Sequence, residues 1–290
     1  MRLYQLAFKL LRLSSSLSYK SLMRIGRFVG RRIMQLDAKH SRIAAINIDL
    51  CFPLLSPQQQ RDLIQSHYEN LGMGIMEMSL SWWTDEKKFN RNVSIKGLAH
   101  FDNAIKQGNG VILVTAEFTT PDILARALGQ LTKVTTVYKP HHHAFIDSCI
   151  SAYRQRNLHK VLPYEDISVI AQALKLNQAV LLTHDANAGH KQISFEKFFN
   201  IPTSTNTAVS RFARMTGAPV VPVHVIRKPD DTGYQVVFET ALPAFPSSDS
   251  AADSLRLNQM IERWIEVSPE QYDWSYPRFR ERPEGEPAIY

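Results

Sequence analysis

Cysteine is nearly missing from this chain. Cys51 and Cys149 lie far apart with no Cys-x-x-Cys pair, so neither a disulfide framework nor a cysteine metal site is indicated. A Gly-rich phosphate loop of the P-loop type and a Gly-x-Ser-x-Gly nucleophile elbow are also absent, which removes two common enzyme classes. Long apolar runs are missing too. The longest stretch without Asp, Glu, Lys or Arg is 13 residues, too short for a spanning helix of ~20 apolar residues. No small-residue cleavage site follows an apolar core, so a secretory leader is not expected.

Acidic residues are scarce in one place. Residues 1–42 hold ten Lys/Arg against a single acid, Asp37; this segment is +9, and the other 248 residues carry −2 of the total +7. Basic charge confined to one end argues against a nucleic-acid groove on the body and for an anionic surface met by the N-terminus. Arg2, Gln5, Lys9, Arg12, Ser16, Lys20, Arg24, Arg27 and Arg31 follow at three- and four-residue steps, one polar stripe of a helix. Leu3, Leu6, Leu10, Leu13 and Leu17 cover much of the rest. The pattern predicts a basic amphipathic helix over 1–34 lying in a membrane interface, each basic residue near anionic lipid contributing ~1 kcal/mol. A surface helix packed on its own core is the alternative.

What remains, 35–290, reads as one domain. Ser56-Pro57 opens a helix with Ile64, Tyr68, Leu71, Ile75, Met78 and Trp82 on one face, and Gly72 and Gly74 inside it suggest close helix contact. Strands then alternate with helices: 111–115, helix 121–131, 134–138, helix 144–157, helix 166–177, 179–183, helix 206–216, 220–226, 234–239 and helix 251–266. The expected fold class is α/β, a mixed, largely parallel sheet flanked by helices. Such sheets keep their sites beyond the carboxyl ends of the strands, where Glu117, Tyr138-Lys139 and His184-Asp185 fall.

The most informative stretch is Gly110 to Asp122. An apolar run, Val111 to Val114, ends at a Thr-rich turn. Thr120 is a good N-cap, Pro121 suits the first helical position, and Asp122 lands in the first turn. Two carboxylates, Glu117 and Asp122, thus stand at the mouth of a strand-to-helix junction. Three adjacent histidines, His141–His143, point in different directions and have no acidic or cysteine partner at ligand spacing, so no metal site is expected.

The frame of that junction resembles the HX4D/E box of glycerolipid-type acyltransferases, with Glu117 where the box has its histidine. The surrounding words resemble the lauroyl/myristoyl acyltransferases of lipid A biosynthesis. Arg42…Asn47…Cys51-Phe52-Pro53, Tyr138-Lys139-Pro140, Arg154-Gln-Arg156, His184-Asp185, Phe195 to Thr205, Ala213 to Pro222 and the tail from Pro269 to Gly285 match in order.

This resemblance implies transfer of a fatty acyl chain from acyl carrier protein to a hydroxyl of a lipid A precursor or related glycolipid, without a cofactor, at the cytoplasmic face of the bacterial inner membrane. In the family a histidine takes the hydroxyl proton, oriented by the acid five residues on; here those places hold Glu117 and Asp122. Burial or a neighbouring carboxylate would raise Glu117 above the ~4.3 of an ordinary Glu and make it a better base. Three readings stay open: a Glu117/Asp122 dyad, a site that has lost its base and only binds lipid or carrier protein, and another base, with His184 nearest. Lys139, Arg154 and Arg156 are candidate contacts to acceptor phosphates, with His184 and Asp185 beside them.

Overall fold

The computed structural model describes residues 2–138, 140–141, 143–163, 167–186 and 193–290. Five helices come first: α1 (Arg2–Leu13), α2 (Tyr19–Leu36), α3 (Ala38–Cys51), α4 (Pro57–Trp83) and α5 (Glu86–Asn90). Strands and helices then alternate as β1 (Val93–Lys96), α6 (Leu98–Ile105), β2 (Val111–Thr115), α7 (Pro121–Leu131), β3 (Val134–Tyr138), α8 (Ala144–Asn157), β4 (Lys160–Pro163), α9 (Ile167–Lys175) and β5 (Ala179–Thr183). The last third holds β6 (Ile193–Phe198), β7 (Ile201–Asn206), α10 (Ala208–Thr216), β8 (Val220–Arg227), β9 (Tyr234–Phe238) and α11 (Ser250–Val267).

Seven strands form one sheet in the order β1-β9-β8-β2-β5-β3-β4, parallel throughout except for the antiparallel β8–β9 pair. The mixed, largely parallel sheet expected from the alternation is what forms. β2 is central and buried at every position, as a continuous apolar run covered on both faces must be. Ile123, Leu124 and Leu128 of α7 cover one face, and Phe212, Leu257 and Ile261 of α10 and α11 the other.

The 1–34 segment divides. Ser14 turns its hydroxyl onto the Leu11 carbonyl at 2.7 Å, a short 3-10 turn spans Ser14–Ser16, and Ser18 restarts the chain by capping the Ser21 amide. A single continuous helix therefore does not form. α2 belongs to the body, burying Leu22, Met23, Gly26 and Gly30. A methyl group on Gly30 would overlap the Tyr68 carbonyl, and one on Gly72 would overlap the Gly26 carbonyl, so α2 and α4 touch backbone to backbone. α1 keeps an outward apolar face, with Leu6, Leu10 and Leu13 exposed, and α2 also exposes Ile25, Phe28 and Leu36.

α4 starts with a capping box in which Ser56 and Gln59 satisfy each other's amides, with Pro57 in the first turn. It packs along α2 and against α7 and ends at Trp82 and Trp83. β6 and β7 form a separate hairpin whose turn, Phe199-Asn200, has φ of 48° and 64°, the left-handed pair of a type I′ turn.

Candidate active site

β2 ends at Thr115 and β5 at Thr183, and these two residues are register partners in the parallel pair. Two residues beyond each lie Glu117 and Asp185, so the register alone brings two carboxylates together at the carboxyl edge. The backbone joins them: the Glu117 amide donates to Asp185 Oδ1 at 3.1 Å and Oδ2 at 3.3 Å.

The tail closes the other side of the loop. Phe118 makes an antiparallel bridge with Tyr272, the Thr119 amide donates to the Gln271 carbonyl at 2.9 Å, and the Asp273 amide donates to the Glu117 carbonyl at 2.8 Å. The Tyr272 hydroxyl donates to Asp185 Oδ2 at 2.7 Å. Behind them, His67 of α4 uses Nδ1 to hold the Tyr272 carbonyl at 3.0 Å.

An open cavity lies against these strand ends. Its walls are Thr115 to Phe118, Thr120, Pro121, Leu124 and Ala125 of α7, Thr136 and Val137 of β3, Leu181 and Thr183 of β5, Val225 of β8, and Arg154 and Leu158 at the end of α8. The lining is predominantly aliphatic, and Glu117 and Arg154 are its charged members. Such a chamber suits an alkyl chain whose polar end meets one carboxyl and one guanidinium.

Glu117 is half-buried and lines this cavity. Desolvation, then the charges of Asp185 and Asp273, push its carboxyl up to about 8, with Arg154 opposing. A second carboxylate does raise Glu117, but it is Asp185 from the neighbouring strand. Asp122, expected as the partner, is 8 % exposed; desolvation raises its carboxyl, with the Arg154 charge and the Trp82 indole N–H opposing. Asp122 Oδ1 has no hydrogen-bond partner among the described residues.

The other expected contacts divide. Arg154 lines the cavity. Arg156, two residues on, is exposed and is not among the lining residues of this cavity. His184 is corrected, both as a contact and as an alternative base. It is 1 % exposed, its Nε2 faces the Ser254 carbonyl at 3.3 Å, and burial and Arg278 depress its pKa to about 3. Such an imidazole stays neutral and walled off. Asp185 is also 1 % exposed and serves the Glu117 amide rather than the cavity. Lys139 lies outside the described residues.

Sequence reasoning missed Tyr272, Asp273 and His67. Tyr272 and Asp273 stood inside a quoted tail block, Pro269 to Gly285, but nothing local in that block shows that it folds against residue 117.

Residues 3–281 match the sequence model of bacterial lipid A biosynthesis acyltransferases, and the chain belongs to that family. It is therefore an acyltransferase. It is 30% identical over 275 residues to a lipid A biosynthesis lauroyltransferase of Escherichia coli (strain K12), covering 94% of this chain and 90% of that one. A palmitoleoyltransferase of the same pathway and strain is 28% identical, covering 94% and 90%, and a myristoyltransferase 22%, covering 93% and 83%. A solved 1-acyl-sn-glycerophosphate acyltransferase of Thermotoga maritima is 12% identical with a TM-score of 0.40, covering 86% of this chain and 97% of that one.

Proposed function

We propose that this acyltransferase moves a fatty acyl chain from the thioester of acyl carrier protein to a hydroxyl of a lipid A precursor, with Glu117 as general base. The single observation behind this reading is the Glu117 carboxyl in the cavity wall, raised to about 8 by burial and by Asp185. A carboxylate of that basicity is far better matched to an alcohol than an ordinary Glu, though at pH 7 only a minority of molecules hold it ionised.

In the reaction, ionised Glu117 takes the acceptor hydroxyl's proton as its oxygen attacks the thioester carbonyl. The new C–O ester bond forms, the C–S bond breaks, and the carrier's thiolate leaves and takes a proton to become the thiol. The aliphatic walls, Leu124, Leu158, Leu181 and Val225, hold the acyl chain. Arg154 offers its guanidinium to an acceptor phosphate or to the carbonyl oxygen as it gains charge.

The acceptor is an amphiphile, so the site works at a membrane surface, here the cytoplasmic face of the inner membrane. Among the described residues no helix is long and apolar enough to cross a membrane. Exposed Leu6, Leu10 and Leu13 beside Lys9 and Arg12 on α1 suit an interface instead. On its inner side Phe8 sets its ring edge-on to Phe145 at 5.5 Å, so α1 rests beside the start of α8.

The test is acyl transfer from labelled acyl carrier protein to a tetra-acylated lipid A precursor, wild type beside Glu117→Gln. Transfer by the wild type and its loss in the variant support the reading. Equal rates would leave a relative that binds lipid or carrier protein without this base.

A further inference from the structure

The loop that carries Glu117 is held from outside by a segment nearly 160 positions away in the chain. Gln271, Tyr272 and Asp273 pair with residues 117–119 backbone to backbone, so the segment is a strap rather than a loose tail. Tyr272 is 1 % exposed. Its ring stands edge-on to Phe118 at 5.8 Å and to Trp274 at 4.9 Å, and His67 fixes its carbonyl at 3.0 Å. With the ring and backbone fixed, the hydroxyl has one direction to point, into the Asp185 carboxylate at 2.7 Å.

We propose that Tyr272 is a positioning residue for the acyl transfer: its hydroxyl keeps Asp185 anionic and docked on the Glu117 amide, so that Glu117 carries the exchangeable proton at the strand ends. This rests on Glu117 being the base. The Asp185 charge acts on the Glu117 carboxyl, so ionising one disfavours ionising the other, and the one with more donors keeps the negative charge. Burial raises the Asp185 carboxyl, and the Arg278 charge, the Tyr272 hydroxyl and the Glu117 amide act against that rise and favour its anion. Glu117 faces Asp185, Asp273 and Arg154. Burial and the neighbouring Asp185 push the Tyr272 phenol far up, so it remains an O–H donor throughout the working range. His67 beside the strap has its pKa lowered by burial, with Asp273 opposing.

Removing the hydroxyl takes a donor from Asp185, which then keeps a proton to higher pH. Glu117 loses its negative neighbour, ionises earlier and becomes a weaker base. Tyr272→Phe keeps the ring, the strap and its backbone pairs. It should therefore lower the acid limb of the pH–rate profile by about one unit, with KM for acceptor unchanged and a reduced kcat at the plateau. Asp185→Asn removes the charge directly and should move the limb the same way, which keeps the test available should the Phe variant fold poorly. A residue that merely packed would change kcat or KM and leave the limb in place.

Carboxyl titration by infrared difference spectra, read against Glu117→Gln, supplies a measurement independent of turnover. A Glu117 band titrating lower in Tyr272→Phe supports the coupling. An unmoved band together with an unmoved limb overturns it. A band that moves while the rate profile stays put would keep the coupling and remove Glu117 as the base.

Discussion

Glu77 of α4 and Arg227 at the end of β8 meet at 2.6 Å, the first 1 % and the second 4 % exposed at the side chain. Tyr234 donates to the same carboxylate at 2.9 Å, and Gln271 at the start of the strap exchanges hydrogen bonds with both the amide and the carbonyl of Arg227. The pair thus ties the long helix, the sheet and the strap that holds the Glu117 loop.

Arg227→Leu or Glu77→Leu alone leaves a buried charge without its partner, and each should cost about 3–5 kcal/mol in urea unfolding. The double variant should lose clearly less than the two losses added together. Strict additivity would show that the charges do not depend on each other.

For Glu117 the pH dependence has a definite sign. Its carboxyl rises from 4.5 to about 8 on folding. Below the ordinary value it is neutral in both states. Between the two values the unfolded chain releases the proton and the folded one keeps it, so stability falls as pH rises through this window. Glu117→Gln has no such proton, so it should match the wild type near pH 4 and exceed it in thermal stability near pH 8. Turnover should rise through about pH 8 in the wild type and drop ~10²–10⁴-fold in the Gln variant. A profile already flat at pH 6 would contradict the raised carboxyl.

Arg154 and Arg156 separate by position alone. Arg154→Ala removes the cavity's guanidinium and should raise KM for a phosphorylated acceptor, whereas Arg156→Ala should behave as the wild type does. Comparing bis-phosphorylated with dephosphorylated acceptors reads out whether phosphate is the contact. An equal effect of both substitutions would point to helix charge instead.

The anchor can be tested by vesicle flotation. Leu6→Ser with Leu10→Ser should reduce binding to anionic vesicles, and salt should weaken wild-type binding over the range in which the Debye length shrinks from about 10 Å to 3 Å. Undiminished binding of the double variant would place the contact elsewhere.

Most of the sheet was legible because its central strands are largely buried: β2, β5 and β8 read as short apolar runs, and β3 as a β-branched one. β1 and β4 were missed. They are four-residue edge strands, β1 with its last two positions exposed and β4 beginning with lysine and ending with proline, so neither carries a period. The break at Ser14 was missed because the polar stripe runs through it in step. The HX4D/E frame and the strand-to-helix junction made Asp122 the expected companion of Glu117. The Asp185 charge also acts on Glu117, because parallel register, invisible in a single segment, sets Thr115 against Thr183. The Tyr272–Asp185 bond spans 87 positions, and no local pattern announces it.

The small-residue seam where Gly26 and Gly30 cross Gly72 has a mechanical consequence. With no side chains between the backbones, α2 has little room to slide or rock on α4, and α4 in turn is bolted to the strap through His67 and to β8 through Glu77. The N-terminal part of the protein is thus a stiff bracket. A force or tilt applied at α2 is passed to the strand ends without slack, so the height and angle at which the cavity meets its substrate are set by geometry.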